Sequence, residues 1–139
     1  MDTKNKILEV IKTPQLAGFA TLNEEGKPWV RYVMSTGRDD MTIRFGTFVN
    51  ARKVKQIIAN PEVHLTMGVQ DPTKMAPYVQ IQGKATLTTN QDEKTALWDP
   101  ACEKIFQGPE DPNYGVIIVT PYRVELMDVG QFEPQVWTA

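Results

Sequence analysis

The chain has 139 residues, one cysteine, one histidine and a formal net charge of −2, with an isoelectric point near 5.4. That length suits one domain with a core of its own and is short for two. The acidic balance argues against a protein that grips nucleic acid by neutralising many phosphates, and the lone Cys102 excludes an intrachain disulfide.

In chain order, Asp2 or Thr3 caps a first helix with Ile7, Leu8 and Ile11 along one side, ended by Pro14. AGFATL (17–22) and PWVRYVM (28–34), joined by NEEG, read as a hairpin with Gly26 at its turn. In the second strand Trp29, Arg31 and Val33 share one face, and Val30, Tyr32 and Met34 the other. After TGRDD, MTIRFG alternates Met41, Ile43 and Phe45 against Thr42, Arg44 and Gly46.

A short helix follows, with Asn50 as its expected N-cap, Val54, Ile57 and Ile58 facing inward, and Pro61 closing it. Arg52 and Lys53 stand in its first turn, where the helix dipole disfavours cations. A ligand phosphate would reverse that penalty, because the free N–H groups, both cations and the Thr47 hydroxyl would converge on it; a solvated face is the plainer alternative.

VHLTMGV (63–69) and YVQIQGKATLTT (78–89) read as half-buried antiparallel strands. Asn90 or Gln91 opens a helix through Trp98, and a short helical piece spans Ala101 to Phe106. GVIIVTPYRVELMDV (115–129) is the last long strand, with Pro121 marking an edge, bulge or bend. Six strands with helices inserted between them predict a mainly β, antiparallel barrel over residues 1–139. The tail GQFEPQVWTA is expected either to fray or to bring Trp137 over a ligand.

The motifs of serine hydrolases, P-loop NTPases and dinucleotide-binding folds are absent. His64 has no companion for a zinc site and is expected to face solvent or an interface, while Cys102 reads as a buried, inert thiol. The apolar runs are too short for a membrane-spanning helix and the N-terminus lacks a signal-peptide core, so a cytoplasmic protein is expected, with no membrane or nucleic-acid partner.

Taken together, WVRYVMS, RFGT, NARKVKQIIANPEVHLTM and VQIQGKATLTT resemble the FMN-binding split β-barrel family related to pyridoxamine 5′-phosphate oxidase, especially its smaller general stress protein branch. The resemblance implies a homodimer holding FMN in clefts at the interface. Positions Arg31, Thr47, Arg52 and Lys53 would hold the phosphate, and the backbone around Tyr32, Val33 and Gly46 would follow the isoalloxazine ring and ribityl chain.

This chain departs from the oxidases in three places. Ser35-Thr36 replaces a lysine after the strand-two arginine, Tyr78 stands where a glutamine is expected near Gln80 and Gln82, and the tail lacks the arginines that grip vitamin B6. The resemblance therefore implies an FMN-dependent oxidoreductase that is not itself a pyridoxamine 5′-phosphate oxidase. A flavin carrier or electron-transfer protein is the alternative, with deazaflavin or haem as variant ligands. From another class, a single-stranded nucleic-acid-binding barrel would use Trp29, Tyr32 and Arg31 for stacking. The sequence names no substrate, reductant, catalytic residue or metal ligand.

Overall fold

The computed structural model describes residues 1–139. Its elements are α1 (Thr3–Ile11), β1 (Gln15–Leu22), β2 (Pro28–Gly37), β3 (Ile43–Phe48), α2 (Arg52–Ala59), β4 (Glu62–Met67), β5 (Tyr78–Thr88), α3 (Gln91–Leu97), a 3-10 helix (Pro100–Lys104), β6 (Tyr114–Met127) and β7 (Gln135–Thr138). No helix is long and apolar enough to cross a membrane.

The strands run in the order β3-β2-β1-β4-β5-β6, and β3 pairs again with β6, closing a six-stranded antiparallel barrel; β7 adds to the outside of β6. Strand alternation sorts the side chains: Ala17, Phe19, Val33, Ile43, Phe45, Leu65, Val79, Ile81, Ile117 and Val119 fill one core. The Phe19 and Phe45 rings meet edge to face, with centroids 4.8 Å apart.

Each end of the barrel carries a helix. Ile7 and Ile11 of α1 are buried near the start of β1, with α1 capped by the Asp2 carboxylate accepting from the Asn5 N–H. Gly37 lets α1 sit that close, since a Cβ there would lie 2.5 Å from Ile11 Cγ1. Val54 and Ile57 of α2 are buried against β1 and β5 near the other end.

The β6 strand spans 14 residues because it serves two neighbours besides β5: residues 114–119 pair with β3 and 123–126 with β7. Its bend falls at Pro121, where the register with β5 shifts between Gln82 and Gly83, as the proline predicts. By contrast β2 meets β3 only at Thr36↔Arg44 and Gly37↔Ile43. Beyond that point the two strands part, leaving a seam between the first half of β2 and the second half of β3. Unpaired strand edges of this kind present backbone N–H and C=O groups to whatever lies alongside.

Four details differ from expectation. The N-cap of α2 is Ala51 without a side-chain cap bond, because Asn50 sits in the preceding turn, one residue too early to reach the free N–H groups. Ile58 is exposed, since only Val54 and Ile57 of that face point inward. Cys102 is half-buried, at the margin of a small cluster formed by Phe106, Tyr114 and Val116. The tail is tied down, because β7 pairs with β6, Trp137 packs against the core and the Thr3 hydroxyl donates to the Gln135 side chain. His64 faces outward and is exposed, as expected.

Candidate functional site

Helix α2 begins beside the open seam, and its first turn is short of acceptors. The N–H groups of Val54 and Lys55 bond to the Ala51 carbonyl, but those of Arg52 and Lys53 have no acceptor in the protein. Two unsatisfied donors at the positive end of a helix dipole favour an anion.

Arg31 reaches the same place from β2. Its Nη1 donates to the Thr21 hydroxyl (2.8 Å), the Trp29 carbonyl (3.1 Å) and the Phe19 carbonyl (3.3 Å), and its Nη2 donates to Gln56 Oε1 (3.1 Å). Every one of these acceptors is neutral. The guanidinium also lies 5.9 Å from the centre of the Phe19 ring. Its positive charge is therefore oriented but not neutralised.

Two further cations share the corner. The Arg52 guanidinium stacks over the Trp29 ring, 5.1 Å from its centre. Burial, and next the Arg52 charge, lower the Arg31 pKa; burial, and next the Arg31 charge, lower that of Lys53. None of the three takes part in any of the molecule's ion pairs. Cations crowded together with no ion-pair partner are an arrangement folding alone does not favour, and perturbed groups such as Arg31 and Lys53 concentrate at functional sites.

The remaining residues singled out from sequence lie around this corner. Thr47 is buried in β3, its hydroxyl donating to the Phe48 carbonyl at 3.0 Å, with no bond to the three cations. Gly46 is exposed on the outer face of β3. Tyr32 and Val33 belong to the stretch of β2 without a β3 partner: the Tyr32 side chain points outward and is 79% exposed, whereas Val33 points into the core. Tyr78, Gln80 and Gln82 sit on β5, Gln80 and Gln82 facing outward, away from the barrel core. Trp137 packs at the β7 edge of the barrel.

Sequence reasoning missed Gln56 and Thr21, the two side chains that hold Arg31. Gln56 lies four residues after Arg52 and three after Lys53, so helix periodicity places all three on one side of α2. That spacing was the available signal. Next to them a cleft of about 590 Å³ opens between the β1–β2 turn and α2, lined by Asn23, Glu25, Trp29, Arg52, Lys55 and Gln56.

Similarity to known proteins extends over nearly the whole chain. A family model described as pyridoxamine 5′-phosphate oxidase matches residues 3–128. General stress protein 26 of Bacillus subtilis (strain 168) is 32% identical over 133 residues, covering 96% of this chain and 94% of the relative. Among solved structures, general stress protein 26 from Bacillus anthracis str. Sterne superposes with a TM-score of 0.86 at 24% identity, covering 100% of both chains. Two more distant neighbours share the fold. A pyridoxamine 5′-phosphate oxidase-related, FMN binding protein from Nostoc punctiforme has a TM-score of 0.65 at 18% identity, over 88% of this chain and 78% of its own. A heme binding protein from Mycobacterium smegmatis has a TM-score of 0.74 at 18% identity, over 99% of this chain and 59% of its own. By the extent of the family match and the identity to its curated relative, the chain belongs to the pyridoxamine 5′-phosphate oxidase family.

Proposed function

We propose that this chain binds FMN, with the phosphate in the corner formed by Arg31, Arg52 and Lys53, and acts as an FMN-dependent oxidoreductase. The observation that carries the reading is the corner itself: three crowded cations, none of them ion-paired, and two free helix N–H groups. A phosphate monoester is a compact dianion with several acceptor oxygens, which matches that donor set in charge and in number. Thr47 completes the phosphate shell when its hydroxyl turns from the Phe48 carbonyl.

From the corner, the ribityl chain and ring follow the seam between β2 and β3, along the backbone of Tyr32, Val33 and Gly46. When bound, FMN supplies the two-electron chemistry. The chain's own residues anchor and orient it: the cations fix the phosphate end, and the unpaired β2 edge offers backbone groups to the ring end. No side chain is assigned as a general acid or base.

The seam is open on one side, and a second copy of the chain is the natural cover. Val30, Tyr32 and Met34 form an exposed apolar row on the outer face of β2, with Leu16 beside it on β1. A row of this kind suits a symmetric dimer that also closes the flavin groove. Tyr32→Asp would then give a monomer by light scattering and weaken FMN binding.

Haem is less well matched. The one histidine, His64, lies on the opposite face of the sheet from the Arg31 guanidinium: His64 pairs with Ala20, itself the partner of Val30, in the outward row, and Arg31 pairs with Phe19, itself the partner of Leu65, in the inward row.

The absorption spectrum of freshly purified protein tests the ligand. A flavin spectrum, or quenching of added FMN fluorescence by colourless protein, is expected; a haem spectrum, or failure to quench FMN, contradicts the reading. Turnover tests the activity separately. If bound FMN is not reduced by a nicotinamide or organic donor, the oxidoreductase role falls and the binding role stands.

A further inference from the structure

Gln56 stands at the centre of a closed set of hydrogen bonds whose directions are fixed by chemistry. Arginine only donates, so Thr21 Oγ1 must accept from Arg31 Nη1. The Thr21 hydroxyl proton is thereby turned to Gln56 Oε1, which also accepts from Arg31 Nη2. Two donors converge on one amide oxygen. Exchanging the oxygen and nitrogen of Gln56 would set an N–H against the arginine's own N–H, so the amide has a single allowed orientation.

The consequence lies on the other side of the amide. Gln56 Nε2 makes no hydrogen bond within the protein, and Gln56 also lines the neighbouring cleft, whose wall carries Trp29, Arg52 and Lys55 together with Glu24 and Glu25. Arg31 Nε likewise has no protein acceptor, since all four bonds of that guanidinium leave from Nη1 and Nη2. Thr21 is buried, which shields the hydrogen-bonded ring from water and holds the amide in place.

We propose that Gln56 is a further ligand for the phosphoester: its Nε2 donates to the phosphate while its Oε1 holds Arg31 at the correct angle to do the same. The residue thus couples α2, which carries Arg52 and Lys53, to the arginine of β2. It adds a neutral donor where a fourth cation would only increase repulsion. This inference rests on the FMN reading given above, and it extends the phosphate shell to a side chain outside the charged set.

The test is the ratio of FMN to riboflavin affinity, measured by fluorescence quenching on the full chain, because riboflavin lacks the phosphate and reports any general damage to the groove. Gln56→Met is close in shape and lies on a partly exposed helix face. It is expected to bind riboflavin as the unaltered protein does and FMN at least about ten-fold more weakly, because it removes both the donor to the phosphate and the acceptor that holds Arg31. Gln56→Glu keeps an oxygen for Thr21 and Arg31 but replaces the donor with a second carboxylate oxygen. It is expected to lower FMN affinity further, by about one hundred-fold, with riboflavin unaffected. If the unaltered protein prefers FMN and Gln56→Met leaves the ratio unchanged, Gln56 is not a ligand and the corner reading stands. If the unaltered protein shows no preference for FMN, the corner reading fails and this inference fails with it.

Discussion

Two arginines on neighbouring strands have opposite fates. Arg44 of β3 is buried under α3 and gripped by the Glu93 carboxylate through two bonds, Nε at 2.7 Å and Nη2 at 3.2 Å, with Arg38 also facing that carboxylate at 3.6 Å. Arg31 of β2 is met only by neutral oxygens and has two further cations for neighbours. The first arrangement is what folding does with a buried charge that must be compensated on the spot. The second leaves compensation to something outside the chain. The contrast distinguishes an arginine that ties a helix to a barrel from one whose charge the chain leaves unpaired, the arginine we propose as a phosphate ligand.

The strongest way to break the contrast is to remove the cations of the corner. Arg52→Ala combined with Lys53→Ala should weaken FMN binding by at least about one hundred-fold, the loss of two charge-assisted contacts. The thermal midpoint of the free protein should hold or rise, because the removed charges repel Arg31. A fall in stability with unchanged flavin affinity would make these residues structural.

The complementary change acts on the other arginine. Glu93→Ala strands Arg44 and should cost about 2–3 kcal/mol in denaturant unfolding, while FMN affinity stays the same. The Arg44 hydrogen bond, above all, holds the Glu93 carboxyl below the usual carboxylate range. Its contribution is thus present above the ordinary glutamate titration range and lost as pH falls through the lowered value, so the alanine variant should show a flatter acid limb.

Smaller effects sharpen the picture. Thr47→Val should reduce FMN affinity about five-fold, the worth of one ordinary hydrogen bond of about 1 kcal/mol, with riboflavin affinity preserved. The least effect is in pH. Burial, and next the Arg31 charge, hold Lys53 below the ordinary lysine range, so the unfolded chain binds that proton more tightly. As pH rises through this window the free protein should gain a little stability while FMN affinity declines. Parallel changes in the two quantities would contradict the assignment.

The barrel was legible in the sequence because its strands alternate strictly and its turns carry glycine and proline, and the bend at Pro121 was marked by the residue itself. β7 was not legible. Its four residues, Gln135 to Thr138, follow a loop rich in turn formers, and only the overshoot of β6 past β3 gives them a partner. The charged half of the corner was visible as Arg31 and Arg52-Lys53. The neutral half was not, because Thr21 and Gln56 are 35 residues apart in sequence and meet only once α2 lies across the end of β1. Family resemblance supplied the order of the motifs, but that the three cations have no ion-pair partner became visible only in three dimensions.

Everything proposed for this site depends on the corner accepting a phosphate dianion. Calorimetric titration of the unaltered, flavin-free protein with FMN and with riboflavin measures it directly. FMN is expected to bind at least about one hundred-fold more tightly, as befits a set of charge-assisted contacts. Equal affinity for the two flavins would contradict it.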